Sequence, residues 1–166
     1  LYVNLFMPGT GSIPLPSGEV RITQATRYPL DAKVNLTIEN TKSVPFTLRL
    51  RIPGWARGEC VPGNLYRYLT PKKTANASAQ TVKLSVNGTT VPLKIESGYA
   101  SISRNWNDGD QVQLKIAMPM RRVIASEKVV ADRGRVAIER GPLVYCLEEI
   151  DNEVPIDKAI LPDDTA

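Results

Sequence analysis

The chain has 166 residues, of which 42% are hydrophobic and 23% are charged, and 21 Lys and Arg against 17 Asp and Glu leave a net charge of +4. This length suits one domain, or one domain with a tail, and apolar residues in ordered runs exclude a disordered chain. The small positive charge is spread among acidic residues, which excludes the dense basic surface of a nucleic-acid-binding protein. No apolar run reaches the roughly 18 residues of a membrane span.

The first third of the chain predicts strands. Residues 1–6 have the pattern of a strand, and an opening of this kind indicates a fragment of a larger protein. Residues 8–17 hold several prolines and are predicted to form a loop rather than a central strand. Apolar and polar residues then alternate over 33–39 and 46–52. Alternation with period two gives each strand one apolar face, and such a face requires a second layer to cover it.

The same alternation returns at 82–86 and 112–116, with turn residues between the strands. Asn87-Gly88 is a strong hairpin signal, because a type I′ turn requires positive φ at both central residues. Ser97-Gly98 marks a further turn about ten residues later, which is typical of a sandwich. We therefore predict an all-β fold, an antiparallel β-sandwich. The pattern leaves a jelly-roll-like and an immunoglobulin-like topology both open.

An insertion and a tail define the predicted domain layout. The sandwich is expected to span residues 1–150, with a long loop insertion near 57–80 in which 65–69 form a short helical turn. Residues 143–147 are continuously apolar and are expected deep in the core. Residues 151–166 are rich in acids and prolines, and are expected to be a tail or linker toward a missing C-terminal domain.

The residues needed for catalysis are scarce. The chain has no histidine and only two cysteines, which removes every imidazole-based triad and the commonest metal ligand. Cys146 lies in an apolar run and is expected to be buried, and the sequence does not favour a disulfide with Cys60. The acids at 148–149, and those at 108 and 110, are expected to be solvated or to cap turns. We predict no catalytic residue, no cofactor and no metal ligand in this chain.

Aromatic and charged residues offer a different role. Trp55 and Trp106 are expected to cap the core at the ends of the sandwich, although Trp55 could also contact a neighbouring domain or a sugar. Residues 132–140 are highly charged, and could form a hydrogen-bonded corner or contact a partner domain. The pair Arg121-Arg122 is expected to be solvated surface. The candidate interdomain contacts are Trp55, Asp132, Arg133, Arg135 and Arg140.

Several segments, in order, resemble the middle domain of glycoside hydrolase family 127, the β-L-arabinofuranosidase-like enzymes. They include Arg51-Ile52-Pro53-Gly54-Trp55, Trp106-Asn107-Asp108-Gly109-Asp110 and the longer run from Asp132 to Cys146. The resemblance implies an (α/α)6 barrel followed by β-sandwich domains, and retaining hydrolysis by a cysteine held at a zinc ion. It places the zinc ligands, three cysteines and a glutamate, in the barrel. No catalytic or zinc position can be carried over, because this chain has no adjacent cysteines.

The leading hypothesis is therefore a non-catalytic accessory domain that packs against an absent catalytic barrel and adjoins a C-terminal domain. One alternative is a carbohydrate-binding module for plant polysaccharide, and another is a cell-surface adhesion sandwich. For a bacterial, polysaccharide-degrading parent enzyme, a periplasmic or secreted location is expected.

Overall fold

The computed structural model describes residues 1–16, 18–40, 42–61, 63–69, 82–152 and 155–162. Their secondary structure is strands joined by turns and by short 3-10 segments at 54–57, 130–132, 149–151 and 156–158. The strands are β1 (Tyr2–Val3), β2 (Gly9–Leu15), β3 (Gly18–Thr26), β4 (Lys33–Asn40), β5 (Val44–Arg51), β6 (Tyr66–Leu69), β7 (Val82–Val86), β8 (Thr89–Thr90), β9 (Ile95–Glu96), β10 (Tyr99–Trp106), β11 (Gln111–Ile116), β12 (Met120–Ala125), β13 (Val136–Arg140) and β14 (Leu143–Tyr145).

The strands form three sheets. Sheet I has the order β1-β5-β10-β9, sheet II the order β2-β3-β4-β11-β7-β8, and sheet III the order β14-β13-β12-β6. Among the described strands, all pairings are antiparallel except that of β1 with β5. Apolar side chains of sheets I and II form one core cluster. The predicted all-β sandwich is confirmed.

The alternation of the sequence accounts for this core. Val34, Leu36 and Ile38 of β4 are each at most 2% exposed, and Leu48 and Leu50 of β5 are fully buried. Strands β7 and β11 contribute their alternate apolar residues in the same way. Each buried aliphatic side chain of this size is worth about 1.5–3 kcal/mol relative to an exposed one. The alternating apolar residues that predicted two layers are thus the residues whose burial stabilises sheets I and II.

Both tryptophans belong to the core, as expected. Trp106 is fully buried, and its ring stacks on Phe46 with centroids 5.4 Å apart at an interplanar angle of 23°. Its Nε1 donates a hydrogen bond of 3.0 Å to the carbonyl oxygen of Phe46. Trp55 is 9% exposed and donates from Nε1 to the hydroxyl of Tyr28 at 3.3 Å. Each indole therefore has a partner for its one polar group, which burial requires.

The Asn87-Gly88 hairpin forms as predicted, with φ of 50° at Asn87 and 78° at Gly88, and joins β7 to β8. Asn87 also ties this hairpin to the turn before β11. Its Nδ2 donates to Oδ1 of the buried Asp110 at 2.7 Å, and its Oδ1 accepts from the Gln111 backbone at 2.8 Å. The two turns are held together by a buried carboxylate rather than by apolar packing.

The Asp110 carboxylate makes the stability of the sandwich sensitive to acid. Burial would raise its pKa, but hydrogen bonds from Asn87 and from the Asn107 backbone, with the Arg104 guanidinium nearby, lower the pKa below its usual value. A depressed folded-state pKa stabilises the fold above the unfolded value of about 3.9, and this stability is lost as pH falls through the folded-state pKa. We expect Asp110→Asn to show a smaller loss of stability below about pH 4, measured by urea unfolding at several pH values. An unchanged pH profile would contradict this assignment.

Three local predictions were wrong. Residues 9–15 form β2 rather than a loop; β2 is an edge strand of sheet II, where one side has no partner and proline is tolerated. Residues 66–69 form β6 rather than a helical turn, because they pair with β12, a contact far away in sequence. In the opening segment only Tyr2 and Val3 are in a strand.

The apolar run 143–147 was also placed wrongly, since it is not in the core. Val144, Tyr145 and Leu147 are 63%, 50% and 59% exposed, and Cys146 is exposed rather than buried. The run follows β13 to the edge of sheet III, outside the sandwich. A continuous apolar run is typical of a strand with both faces covered by other elements. Among the described residues, no second layer covers this edge of sheet III, so the side chains of the run are exposed.

Candidate interdomain surface

Sheet III is attached to the sandwich through β6, which comes from the insertion near 57–80. Strand β6 pairs antiparallel with β12, from Tyr66 opposite Ala125 to Leu69 opposite Arg122. Beyond the strand end, the Ser126 backbone donates to the Leu65 carbonyl oxygen at 2.6 Å. Strand β6 thus comes before the sandwich strand β7 in the sequence, but it forms the edge of sheet III. The other three strands of sheet III come after β11.

Two tyrosines of β6 bind carboxylates of sheet III and its loop. The Tyr68 hydroxyl donates to Oε2 of Glu139 at 3.0 Å, and the Tyr66 hydroxyl donates to Oδ2 of Asp132 at 2.9 Å. Desolvation and the Glu139 hydrogen bond raise the pKa of Tyr68 to about 12, and the Asp132 hydrogen bond raises the pKa of Tyr66. Both phenols therefore stay protonated, as donors, throughout the neutral range.

Arg121 connects this tyrosine cluster to the sandwich. Its guanidinium carbon lies 4.7 Å from the centroid of the Tyr68 ring, within range of a cation–π interaction. Its Nη1 donates to the carbonyl oxygen of Trp55 at 2.8 Å. Arg121 was predicted to be solvated surface, and that prediction was wrong. The pair Arg121-Arg122 could not predict this contact, because the acceptor is the carbonyl of Trp55, 66 positions earlier in the chain.

Two further contacts complete the junction. Arg140 Nη1 donates to the carbonyl oxygen of Leu30 at 3.3 Å. Gly141, with φ of 61°, lies against Met118, and a Cβ at this position would stand 2.7 Å from the Met118 Cε. Sheet III is therefore joined to the sandwich by a strand, two arginine hydrogen bonds and one close packing contact.

The five residues predicted as interdomain contacts occupy different environments. Trp55 and Arg140 lie at the junction just described, and Asp132 holds Tyr66. Arg133 donates from Nη2 to the Glu127 carbonyl oxygen at 3.2 Å, within its own loop. Arg135 is exposed, and its side chain makes no hydrogen bond or ion pair with the described residues. Their role toward another domain stays a prediction. Sequence analysis missed Arg121, Tyr68 and Glu139, which meet only through strand pairing.

A cleft of about 410 Å³ opens beside Trp55. Its lining includes aromatic and apolar side chains and a charged rim: Asn4, Leu5, Phe6, Tyr28, Arg51, Pro53, Gly54, Trp55, Arg57, Glu59, Cys60 and Val61. Arg57 and Glu59 form a two-pronged ion pair, with Nη1–Oε1 and Nη2–Oε2 distances of 3.0 Å each. The Arg51 guanidinium, in contrast, bonds to no described residue.

Cysteines and clusters of candidate metal ligands are few among the described residues. Cys60 and Cys146 are free thiols, and among the residues described no three His, Cys, Asp or Glu side chains come together as metal ligands. The zinc site implied by the resemblance therefore does not fit this part of the chain. In the same described ranges, no helix has the length and hydropathy that a membrane-spanning helix requires.

Comparison with known families decides the relationship. A model described as the β-L-arabinofuranosidase, GH127 middle domain matches residues 1–118, and the model of the GH127 C-terminal domain matches residues 120–166. The chain belongs to glycoside hydrolase family 127. The two GH127 domain models meet between β11 and β12, so that β6 lies in the middle-domain region and its pairing partner β12 in the C-terminal region.

Several GH127 relatives are bacterial enzymes. The chain is 32% identical, over 79% of its length, to the non-reducing end β-L-arabinofuranosidase of Bifidobacterium longum subsp. longum. It is 41% identical to a solved GH127 β-arabinofuranosidase, with a TM-score of 0.81 over 92% of the chain. It is 37% identical to a GH127 β-L-arabinofuranosidase from Geobacillus stearothermophilus T6, with a TM-score of 0.73 over 91% of the chain.

The chain spans only part of these GH127 proteins. It covers 17% of the Bifidobacterium enzyme, and 23% and 20% of the two solved chains. The GH127 family assignment therefore describes a middle-domain region, residues 1–118, and a C-terminal-domain region, residues 120–166. The junction formed by β6, Arg121 and Arg140 is a contact between those two regions of one chain.

Proposed function

We propose that this chain is a non-catalytic accessory part of a larger β-L-arabinofuranosidase-like hydrolase, and that it packs against the enzyme's catalytic (α/α)6 barrel. The observation that carries the proposal is the match of residues 1–118 to a domain described as the middle domain of such enzymes. A middle domain has neighbours on both sides, and the chain accounts for about a fifth of its solved relatives. The retaining reaction and its zinc ion belong, in this proposal, to the barrel.

A packing role is consistent with the surface chemistry. Domain interfaces within one chain typically bury roughly 600–1,500 Å², and the fully buried centre of an interface is more apolar than its rim. Leu5 and Met7 are 66% and 63% exposed, and the cleft beside them has an aromatic lining. By covering such a surface, the barrel and the sandwich would stabilise each other.

The experiment compares the chain with the complete enzyme on an aryl β-L-arabinofuranoside. The complete enzyme is expected to hydrolyse it, and the chain alone is expected to show no turnover above a buffer control. Turnover by the purified chain that a chelator abolishes would overturn the proposal. In addition, unfolding of the complete enzyme followed by calorimetry should show the barrel melting at a lower temperature when this segment is deleted.

A carbohydrate-binding module is the alternative, and the geometry favours it less. Sugar platforms use an exposed aromatic face, and Tyr2 is the most exposed ring of sheet I at 57%. The Arg49 guanidinium carbon, however, lies 5.0 Å from the Tyr2 ring centroid, and the Tyr99 ring contacts it edge-on at 5.2 Å. Calorimetric titration of the chain with arabino-oligosaccharides is expected to show no binding heat, and saturable binding would favour the module.

An adhesion sandwich with no hydrolase attached is a third reading, and the family match weighs against it. Export of the complete enzyme to the periplasm or beyond forms part of our proposal, because a polysaccharide substrate lies outside the cytoplasm. Cell fractionation with an antibody against this chain tests it, and an exclusively cytoplasmic signal would contradict it.

A further inference from the structure

The segment at residues 4–7 combines a firmly held backbone with exposed side chains. The Gln24 Nε2 donates to the carbonyl oxygen of Leu5 at 3.1 Å and also to that of Met7. Phe6 points inward, is 6% exposed, and meets the Tyr28 ring edge-on at 5.4 Å. Leu5 and Met7 point the other way. Such ordered, exposed apolar residues are typical of a surface that another protein covers.

This segment continues into the outward face of sheet I. Asn4 Oδ1 accepts from the Tyr99 hydroxyl at 2.9 Å, and Tyr99 contacts Tyr2. Tyr99 is paired directly with Arg51 across β5 and β10. We call these residues, Tyr2, Asn4, Leu5, Arg51 and Tyr99, the β1 surface. It borders the cleft, which Asn4, Leu5 and Arg51 also line.

The charges of the β1 surface indicate the chemistry of its partner. Arg49 is engaged by Tyr2, through a 2.9 Å hydrogen bond from Nη1 to the hydroxyl, and Arg57 is paired with Glu59. Of these three arginines, Arg51 is the one whose side chain makes no hydrogen bond or ion pair with a described residue. Unpaired arginine beside apolar and aromatic groups is a frequent anchor in protein interfaces, where it binds a carboxylate in two-pronged fashion.

We infer that the β1 surface and its cleft are where the catalytic barrel docks, through an apolar side chain seated beside Leu5 and a carboxylate bound to Arg51. The inference rests on the proposed function and names the surface it uses. Arg121 and Arg140 of the C-terminal region hydrogen-bond to the carbonyl oxygens of Trp55 and Leu30, neither of which belongs to the β1 surface.

The test is hydrogen exchange on the complete enzyme and on the chain alone. The amides of residues 4–7 are expected to exchange at least tenfold more slowly in the complete enzyme. Arg51→Glu, and separately Leu5→Asp, should remove most of this added protection in the complete enzyme. Because both side chains are exposed in the chain alone, neither variant should shift the thermal midpoint of the isolated chain measurably.

Lys83→Glu is the matched control, since Lys83 is an exposed cation of β7 in sheet II, away from the β1 surface. It reverses the same charge and is expected to leave the protection of residues 4–7 unchanged. Protection that appears elsewhere on the chain, but not at residues 4–7, would overturn this inference and leave the proposed function standing. Protection nowhere on the chain would overturn both. Protection induced by arabino-oligosaccharides, instead of by the rest of the enzyme, would assign the surface to sugar.

Discussion

Replacing Trp106 by alanine is expected to destabilise the chain by about 3–5 kcal/mol, the usual cost of truncating a fully buried aromatic residue. The indole is fully buried, stacks on Phe46 and donates to the Phe46 carbonyl oxygen. Alanine would leave a cavity between the sheets and would remove the indole's hydrogen bond to that carbonyl oxygen. Urea unfolding measures the loss, which corresponds to a drop of about 6–20 °C in thermal midpoint for a domain of this size.

Two further variants separate the contributions to this effect. Trp106→Phe keeps most of the volume but removes the Nε1 donor, and is expected to cost about 0.5–1.5 kcal/mol for the lost hydrogen bond. Tyr145→Ala, at a half-exposed aromatic residue of sheet III, is the control and should cost much less. Equal losses of unfolding free energy for Trp106→Ala and Tyr145→Ala would contradict the assignment of Trp106 to the core.

Arg121→Ala is expected to loosen sheet III from the sandwich at a cost of about 1–3 kcal/mol, because it leaves the carbonyl oxygen of the buried Trp55 without its donor. The same change removes the guanidinium over Tyr68, a contact worth about 0.5–1 kcal/mol. Hydrogen exchange should accelerate in β6 and β12, while β5 and β10 keep their protection. The measurement is peptide-resolved exchange, together with limited proteolysis after residue 118.

Arg135→Ala provides the control for Arg121, since Arg135 is exposed and its side chain has no partner among the described residues. Its removal should change stability by no more than about 0.5 kcal/mol. Arg121→Lys keeps the charge but lacks the planar fork, so its effect should lie between wild type and alanine. If β6 exchanges at the wild-type rate in Arg121→Ala, the junction does not depend on this arginine.

The sandwich could be predicted from the sequence because its determinants are local. Strands such as β4 and β5 carry their own alternation, and Asn87-Gly88 specifies its hairpin through the φ values it tolerates. Burial of Leu36 and Leu50 follows from that alternation alone. The family resemblance rested on similarly local runs, from Arg51 to Trp55 and from Asp132 to Cys146.

Sheet III could not be predicted, because its determinants are not local. Whether residues 65–69 are a turn or a strand is decided by β12, some 55 positions later, and no local pattern encodes that partner. The exposure of Cys146 has the same origin, since the apolar run around it ends a sheet outside the sandwich. Arg121 was predicted to be solvated surface because nothing in the local sequence indicates its hydrogen bond to the Trp55 carbonyl oxygen.

The crossing of β6 into sheet III has a consequence for synthesis on the ribosome. Residues 66–69 emerge before β12, and at about 5–20 residues per second this strand waits roughly 3–10 s for its partner. During that time its backbone groups and Leu69 are open to other strands, including those of a neighbouring nascent chain. The same crossing limits the exchange of modules between relatives. A chimera joined at residue 119 would pair β6 of one parent with β12 of another. Tyr66 and Tyr68 would then come from one parent, and the positions of their partners Asp132 and Glu139 from the other.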